Sequence, residues 1–392
     1  MAQKIALITP WPPQHTGIAD YAYDLAWGLV RMGHEVSVIS EVKEPKLLDG
    51  VRFYSPEWLT EKTRGEFDQL VYQLGNNSSF HVFQLPLLFR YPGVVHLHDM
   101  VLHHLMAWLL YVNGSRELYR RVLAKWYGPV LAETAWQALK AGRGIWDTQA
   151  VTDVPFFEEL VQHASALITH SEFAAGKVRA VFPARPVMVL PQLYREVMPR
   201  GDKYDGSFHI GVFGGVDTNK RLGLIIDATL NALQAGCSIH LHVAGNVQKD
   251  CLPLLERIQQ SPLKDVTHIH GRVEHDELLQ LISEMDVCIA LRYPTMGETS
   301  AIVMRALQAG TPVIVNDVGW YSELPGFLAK LRPTDPDELK ELTALLTVFS
   351  SKGPEYQALR GETQRYADTV CQFDRVTKDY AGFILSTKEV VQ

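Results

Sequence analysis

Apolar residues fall along this chain in two alternating rhythms. Short unbroken apolar runs suit strands buried on both faces, and stretches with apolar positions every three or four residues suit helices. Lys4 to Thr9 is the first run, closed by Pro-Trp-Pro-Pro. The loop His15-Thr16-Gly17-Ile18-Ala19 leads into a helix through Val30, with Leu25, Leu29 and Met32 at helical spacing. Gly33 ends it, and Glu35 to Ser40 predicts a second strand. Strand, loop, helix and strand make a βαβ unit of the Rossmann kind. Phe80 to Phe83, Val94 to Leu97 and Ala166 to Thr169 predict further buried strands, the last running into His170-Ser171.

From Met100 to Leu160 the rhythm is helical and rich in aromatics: Trp108, Tyr111, Tyr119, Trp126, Tyr127, Trp136 and Trp146. A structureless loop of that length is uncommon inside a compact domain, so the stretch predicts a helical insert. A second α/β rhythm starts near Phe208. Strands are predicted at His209–Phe213, Ile239–Ala244, Thr267–His270, Val287–Leu291 and Val313–Val315. Helices are predicted at Lys220–Ala235, Leu254–Gln259, Glu277–Glu284 and Ala301–Ala309, the second with Pro253 at its first turn. Strands alternating with helices argue for a parallel sheet. Leu190 to Asp205, polar and with two prolines, predicts the linker. The expected division is a first domain over 1–195, with its insert at about 100–160, a second over 206–373, and a final helix over 374–392.

Composition narrows this picture. The chain has 392 residues, enough for two cores. Hydrophobic residues at 47% and charged residues at 21% describe an ordinary globular protein. A net charge of −7 argues against a nucleic-acid partner. Cys237, Cys251, Cys288 and Cys371 form no CxxC pair, which suits reduced thiols in the cytoplasm. The N-terminus turns directly from a strand into a loop and does not read as a signal peptide. Val101 to Val112 is apolar apart from its two histidines, with Arg120, Arg121 and Lys125 nearby. A core helix is the preferred reading, and peripheral contact with a membrane or amphiphilic acceptor is the other.

The chemistry gathers in two places. Lys220-Arg221 opens a helix directly after a strand and the loop Gly214-Gly215, where a phosphate would lie at the carboxyl edge of the sheet. Cations there oppose the helix dipole, which favours a ligand role over a solvated pair. The stretch Thr295 to Pro325 holds the loop Gly297-Glu298-Thr299-Ser300, a short helix, Gly310-Thr311-Pro312 and an apolar strand. Thr299 and Ser300 suit an N-cap, so the helix start can present N–H groups to an anion.

That order of loop, helix, Gly-Thr-Pro and strand resembles the donor-binding segment of retaining glycosyltransferases of family 4. The resemblance implies a GT-B fold, in which two Rossmann-like doubly wound domains face a central cleft and the last helix crosses back onto the first domain. It implies transfer from a UDP- or GDP-linked sugar to a glycan, glycolipid or small-molecule acceptor, with retention and with no metal or other cofactor. Lys220 matches the family's phosphate lysine. The arginine expected after the first loop glycine is Gly215 here, and Arg221 is the candidate to replace it. The family's two glutamates are separated by seven residues. Alignment on Gly-Thr-Pro puts Gly297 and Arg305 at those positions, with Glu298 one residue away. Glu298 is therefore assigned to the sugar, and Arg305 to the ribose, a phosphate or an ion pair with Glu298. His98, in His96-Leu97-His98-Asp99, matches the histidine beside the donor sugar. A metal set of His96, His98, His103 and His104 is the rival reading of that stretch. Gly17 matches the glycine that lets backbone approach a ligand, and Asp20, Tyr21 and Asp99 are weaker acceptor candidates. Ser171-Glu172 resembles a family segment and reads equally as an N-cap. A nucleotide-sugar 2-epimerase and a non-catalytic nucleotide-sugar binder remain as alternatives.

Overall fold

The computed structural model describes residues 2–145, 149–201 and 206–387. Trp146, Asp205 and Val391, which the sequence assigns to the insert, the linker and the last helix, lie outside the described residues. The chain divides into two compact units: Met1–Gln192 with Met296–Thr299 and Phe373–Gln392, and Leu193–Thr295 with Ser300–Gln372.

The first unit is built on seven parallel strands in the order β3-β2-β1-β4-β5-β6-β7. They are β1 Lys4–Ile8, β2 Glu35–Ile39, β3 Val51–Tyr54, β4 Gln69–Leu74, β5 Val94–Leu97, β6 Ala166–Thr169 and β7 Val187–Val189. The second sheet runs β10-β9-β8-β11-β12-β13, also parallel. Its strands are β8 Phe208–Phe213, β9 Ile239–Ala244, β10 Thr267–Gly271, β11 Val287–Ala290, β12 Val313–Asn316 and β13 Ala329–Leu331. Each sheet is doubly wound, with its direction of winding reversing between β1 and β4 and between β8 and β11. Ligands of such folds sit beyond the carboxyl ends of the strands at that reversal.

Two expectations are corrected. Phe80–Phe83 is not a strand: Ser78–His81 and Gln84–Arg90 are helical, and the strand that pairs with β1 is β4. The sequence of β4, QLVYQL, is fully buried, but its two glutamines break the apolar run that would have marked it. Gln69 donates to Thr387 O and Gln73 contacts the Tyr380 hydroxyl, so both amides are satisfied inside the unit. The helix expected from Lys220 begins at Leu222, because Thr218–Lys220 is a 3-10 turn and Arg221 takes a left-handed φ of 57°.

The insert is helical over His103–Ala107, a π-turn over Trp108–Val112, and Arg116–Lys140. The long helix breaks at Gly128, whose φ of 82° precedes Pro129. Val101, Leu102, Leu105, Met106 and Leu110 are buried in the core of the first unit with Tyr119 and Phe156. The run Val101 to Val112 is therefore mainly core. The terminal helix Phe373–Ser386 belongs to the first unit, where it buries Val376, Thr377, Tyr380, Ala381 and Ile384. Among the described residues, no helix is long and apolar enough to cross a membrane.

Candidate functional site

In the second unit, the loops after β8 and β11 flank the winding reversal. Gly214 follows β8 with a φ of 85°, and a Cβ there would stand 2.9 Å from Lys220 Nζ. The glycine thus gives the ammonium its place, where Lys220 also donates to Phe213 O at 3.2 Å. Gly215 lies in the same loop with open space around it, its nearest neighbour being Asn246 O at 3.9 Å. Lys220, Arg292 and Ser300 line one small cavity with Phe213, Ile302 and Tyr321. Arg292 follows β11 and is held by Asn219 Oδ1 at 2.7 Å and Asp217 at 3.5 Å. Ser300 caps the helix Ala301–Ala309, its Oγ accepting from Val303 N at 3.3 Å. Two cations and the amide end of a nine-residue helix therefore converge on one cavity, a setting suited to phosphate oxygens.

Arg292 is the residue sequence reasoning missed. Its signal was position, directly past a strand end at the winding reversal. Arg221 does not join Lys220: its left-handed backbone turns the guanidinium to the buried Glu338, which also accepts from Asn316 Nδ2 at 2.7 Å and Thr334 N at 2.9 Å. Arg305 is corrected too. It lies on the buried face of its helix, 5% exposed, with its guanidinium 3.7 Å above the Tyr194 ring.

In the first unit, Gly297 has a φ of 73°, and a Cβ on it would come within 2.7 Å of Met100 Cε. The left-handed backbone and the close Met100 and Phe173 side chains favour glycine at that turn. Glu298 accepts from Met296 N at 2.7 Å, and Thr299 donates to Gln192 Oε1 at 3.0 Å. Asp99 accepts from Asn76 N at 2.8 Å. Burial, with the Glu298 charge adding to it and the Asn76 N–H opposing it, raises the Asp99 carboxyl to about 6. Gly17 opens the helix Gly17–Arg31, with nothing within 4 Å of a Cβ built there. The fold leaves room for a side chain at that point. Asp20 is exposed on the same first turn.

His98 and Tyr21 are corrections. His98 is 6% exposed, and both ring nitrogens are engaged: Nε2 with Gln73 Oε1, Nδ1 with His170 Nε2 at 3.1 Å. Its imidazole edge is turned inward rather than to a sugar. Tyr21 is buried, packed edge-on against the same histidines. Nor does the set His96, His98, His103 and His104 form. His103 bonds Val154 O and the Tyr119 hydroxyl, and His104 bonds Asn76, while His170 joins His96 and His98 instead. Ser171 is a plain N-cap, accepting from Ala174 N at 3.1 Å, and Glu172 pairs with Arg179 on the surface.

The fold is that of the GT-B glycosyltransferases, two parallel doubly wound sheets with their helices. Within it, residues 207–347 match the family described as glycosyl transferases group 1. No curated protein matches the chain in sequence. Sucrose-phosphate synthase from Thermosynechococcus elongatus is similar in structure at 14% identity and a TM-score of 0.66, over 97% of this chain and 98% of its own. Anabaena HepE, solved with UDP-glucose, gives 14% identity and a TM-score of 0.64 over 98% and 100%. AviGT4, a glycosyltransferase involved in avilamycin A biosynthesis, gives 17% and 0.57 over 98% of each chain.

Proposed function

We propose that this chain is a glycosyltransferase that moves a sugar from a nucleotide diphosphate sugar, UDP-linked in preference to GDP-linked, to an acceptor hydroxyl with retention at the anomeric carbon. The observation that carries the reading is the convergence of Lys220, Arg292 and the helix end at Ser300 on one cavity, inside the segment that matches glycosyl transferases group 1. The UDP complex of the structurally similar HepE supports the choice of base.

In this reading the diphosphate departs against the Lys220 and Arg292 cations and the N–H groups of Ala301 and Ile302, which stabilise the growing negative charge. The acceptor oxygen bonds to the anomeric carbon on the face the phosphate leaves. The departing phosphate oxygen takes the hydroxyl proton, so no enzyme nucleophile is needed. Glu298, whose carboxylate accepts from Met296 N, is assigned to the sugar hydroxyls by its place in the loop before the helix at Ala301. With the His98 imidazole turned inward and Tyr21 buried, Asp99 and the exposed Asp20 are the remaining first-unit candidates beside the acceptor. No metal enters these steps.

Arg305, turned onto Tyr194 where the family pattern has a glutamate, favours one other reading: a protein that binds a nucleotide sugar without turning it over. Incubation with UDP-glucose, UDP-galactose and GDP-mannose, followed by phosphorus NMR, separates the two. A transferase releases nucleoside diphosphate from one donor, faster with acceptor present. A binder returns the donor intact, and a 2-epimerase converts it without an acceptor. Failure of every nucleoside diphosphate to bind in calorimetry would sink the reading. Glu298→Gln should lower turnover of the accepted donor while UDP still binds.

A further inference from the structure

His96 lies in β5, His98 stands one residue past its end, and His170 follows β6. Residues 96 and 98 share one face of the sheet, and the register His96 to Ile168 brings His170 alongside His98. All three rings are buried, at 0%, 6% and 4% exposure. Their centroids lie 4.2, 4.5 and 4.9 Å apart, and one nitrogen from each falls within 4.8 Å of the others. Among the described residues this is the one group of three potential ligands so arranged. Tyr21 covers the three rings edge-on, and Tyr380 of the terminal helix lies 5.5 Å from His96.

The outer hydrogen bonds decide where the protons sit. His170 Nδ1 faces the Leu190 carbonyl at 2.9 Å and must donate, so Nε2 carries the lone pair. His98 Nε2 faces the Gln73 carbonyl oxygen and must donate, so Nδ1 carries the lone pair. These two lone pairs point at each other across 3.1 Å. Two neutral imidazoles cannot share a hydrogen bond in that state. His96 adds a second anomaly, since neither of its ring nitrogens has a hydrogen-bond partner in a fully buried site. Turning the Gln73 amide over, with the Tyr380 hydroxyl donating to its oxygen, would satisfy His98 and His170 but leave His96 orphaned.

We propose that His96, His98 and His170 bind a divalent transition cation of the zinc class through His98 Nδ1, His170 Nε2 and one nitrogen of His96. The cation accepts the two opposed lone pairs and gives the orphaned His96 its partner. Neutral imidazoles are ligands of choice for such ions. The carbonyl oxygens of Leu190 and Gln73 stand behind two of the ligands, the arrangement that fixes tautomer and ring orientation in metal sites. Three histidines leave a fourth position for water. The ion ties the end of β5 to the end of β6. The site takes no part in the transfer steps described above and stands or falls independently of them.

The test uses the full chain, stripped with chelator and then titrated with Co2+ and Zn2+. The wild type should take up one tightly held equivalent, show the visible absorption band of tetrahedral nitrogen-ligated Co2+, and melt at a higher temperature with Zn2+. Gln73→Leu leaves all three ligands in place and should weaken Zn2+ binding roughly 10–100-fold. His96→Gln, checked for fold by circular dichroism, should weaken it more. Absence of the Co2+ band in the folded wild type would overturn the proposal, and that measurement needs no variant. Unchanged affinity in His96→Gln would do the same, as would loss of binding only on changing His240 and His268 of the second sheet.

Discussion

Lys220 and Arg221 are neighbours in sequence and opposites in role. Lys220 lines the cavity beside Gly214, whereas Arg221 is ion-paired with Glu338, itself 2% exposed. Lys220→Ala should cost UDP binding about 1.5–3 kcal/mol in calorimetry, the range for a charge-assisted contact, with the melting temperature little changed. Arg221→Ala should leave UDP affinity alone and destabilise the fold by about 3 kcal/mol in denaturant titration, because it strands a buried carboxylate. The reverse pattern would return the phosphate role to Arg221. Asp99 carries a prediction with a defined sign. The native state holds its proton up to about pH 6, while the unfolded carboxyl releases it near the ordinary value of 3.8. Between those values unfolding releases a proton, so stability falls as pH rises through the window and stays lower above it. Asp99→Asn should therefore stabilise the protein at pH 7 by roughly 2–3 kcal/mol, and the gain should vanish as pH falls toward 4. A gain that is constant with pH would assign the effect to packing instead.

At the scale of elements, the same-face rule places five histidines on adjacent strands of the second sheet. His209 of β8 stacks on His240 of β9 at 4.9 Å, and His242 stacks on His268 and His270 of β10 at 4.6 and 5.4 Å. Nitrogen contacts of 3.0 to 3.2 Å link His209 to His242, His242 to His270 and His240 to His268. Burial first, and the neighbouring imidazoles second, lower His242 to about 3 and also lower His268. A depressed histidine stabilises fully above its unfolded value of 6.5, and that contribution is lost as pH falls toward the folded value. The amides of β9 and β10 should lose hydrogen-exchange protection between pH 6.5 and 4, after correction for intrinsic exchange, before those of β11 and β12. Uniform protection across the second sheet would sink this prediction.

At the scale of the whole molecule, each unit has its own sheet and core, and the chain returns at its end to the unit where it began. Tyr380 and Ile384 are fully buried in the first unit, and Gln69 reaches the Thr387 carbonyl at 2.9 Å. Each such side chain contributes about 1.5–3 kcal/mol by burial, so the terminal helix is a large share of the first unit's stability. A chain ending at Gln372 should lose the first unit's cooperative melting while the second unit still melts as before. Calorimetry and limited proteolysis, with the cleavage sites mapped, read the two units separately.

The alternation of strands and helices, the parallel sheets and the glycine-rich turns after β8 and before the helix at Ala301 are legible in the residues alone. Those signals are local: buried parallel strands are apolar runs, and a left-handed turn such as that at Gly297 favours glycine. The sequence also singles out Lys220 by its place just after the Gly214-Gly215 loop. Four things came only with the tertiary structure. The two glutamines of β4 read as polar until Thr387 and Tyr380, more than three hundred residues away, arrived to satisfy them. Arg221 read as a phosphate ligand, and Arg305 as a ribose or phosphate ligand or an ion-pair partner of Glu298, until Glu338 and the Tyr194 ring were found to hold them. Arg292 entered the site because β11 lies beside β8, a neighbour relation no local pattern carries. His170 joined His96 and His98 because β6 pairs with β5 across the insert. Local propensity chooses elements and turns. Which polar side chain is satisfied in the core, and which is left to face a ligand, depends on partners that only the folded sheet order brings within reach.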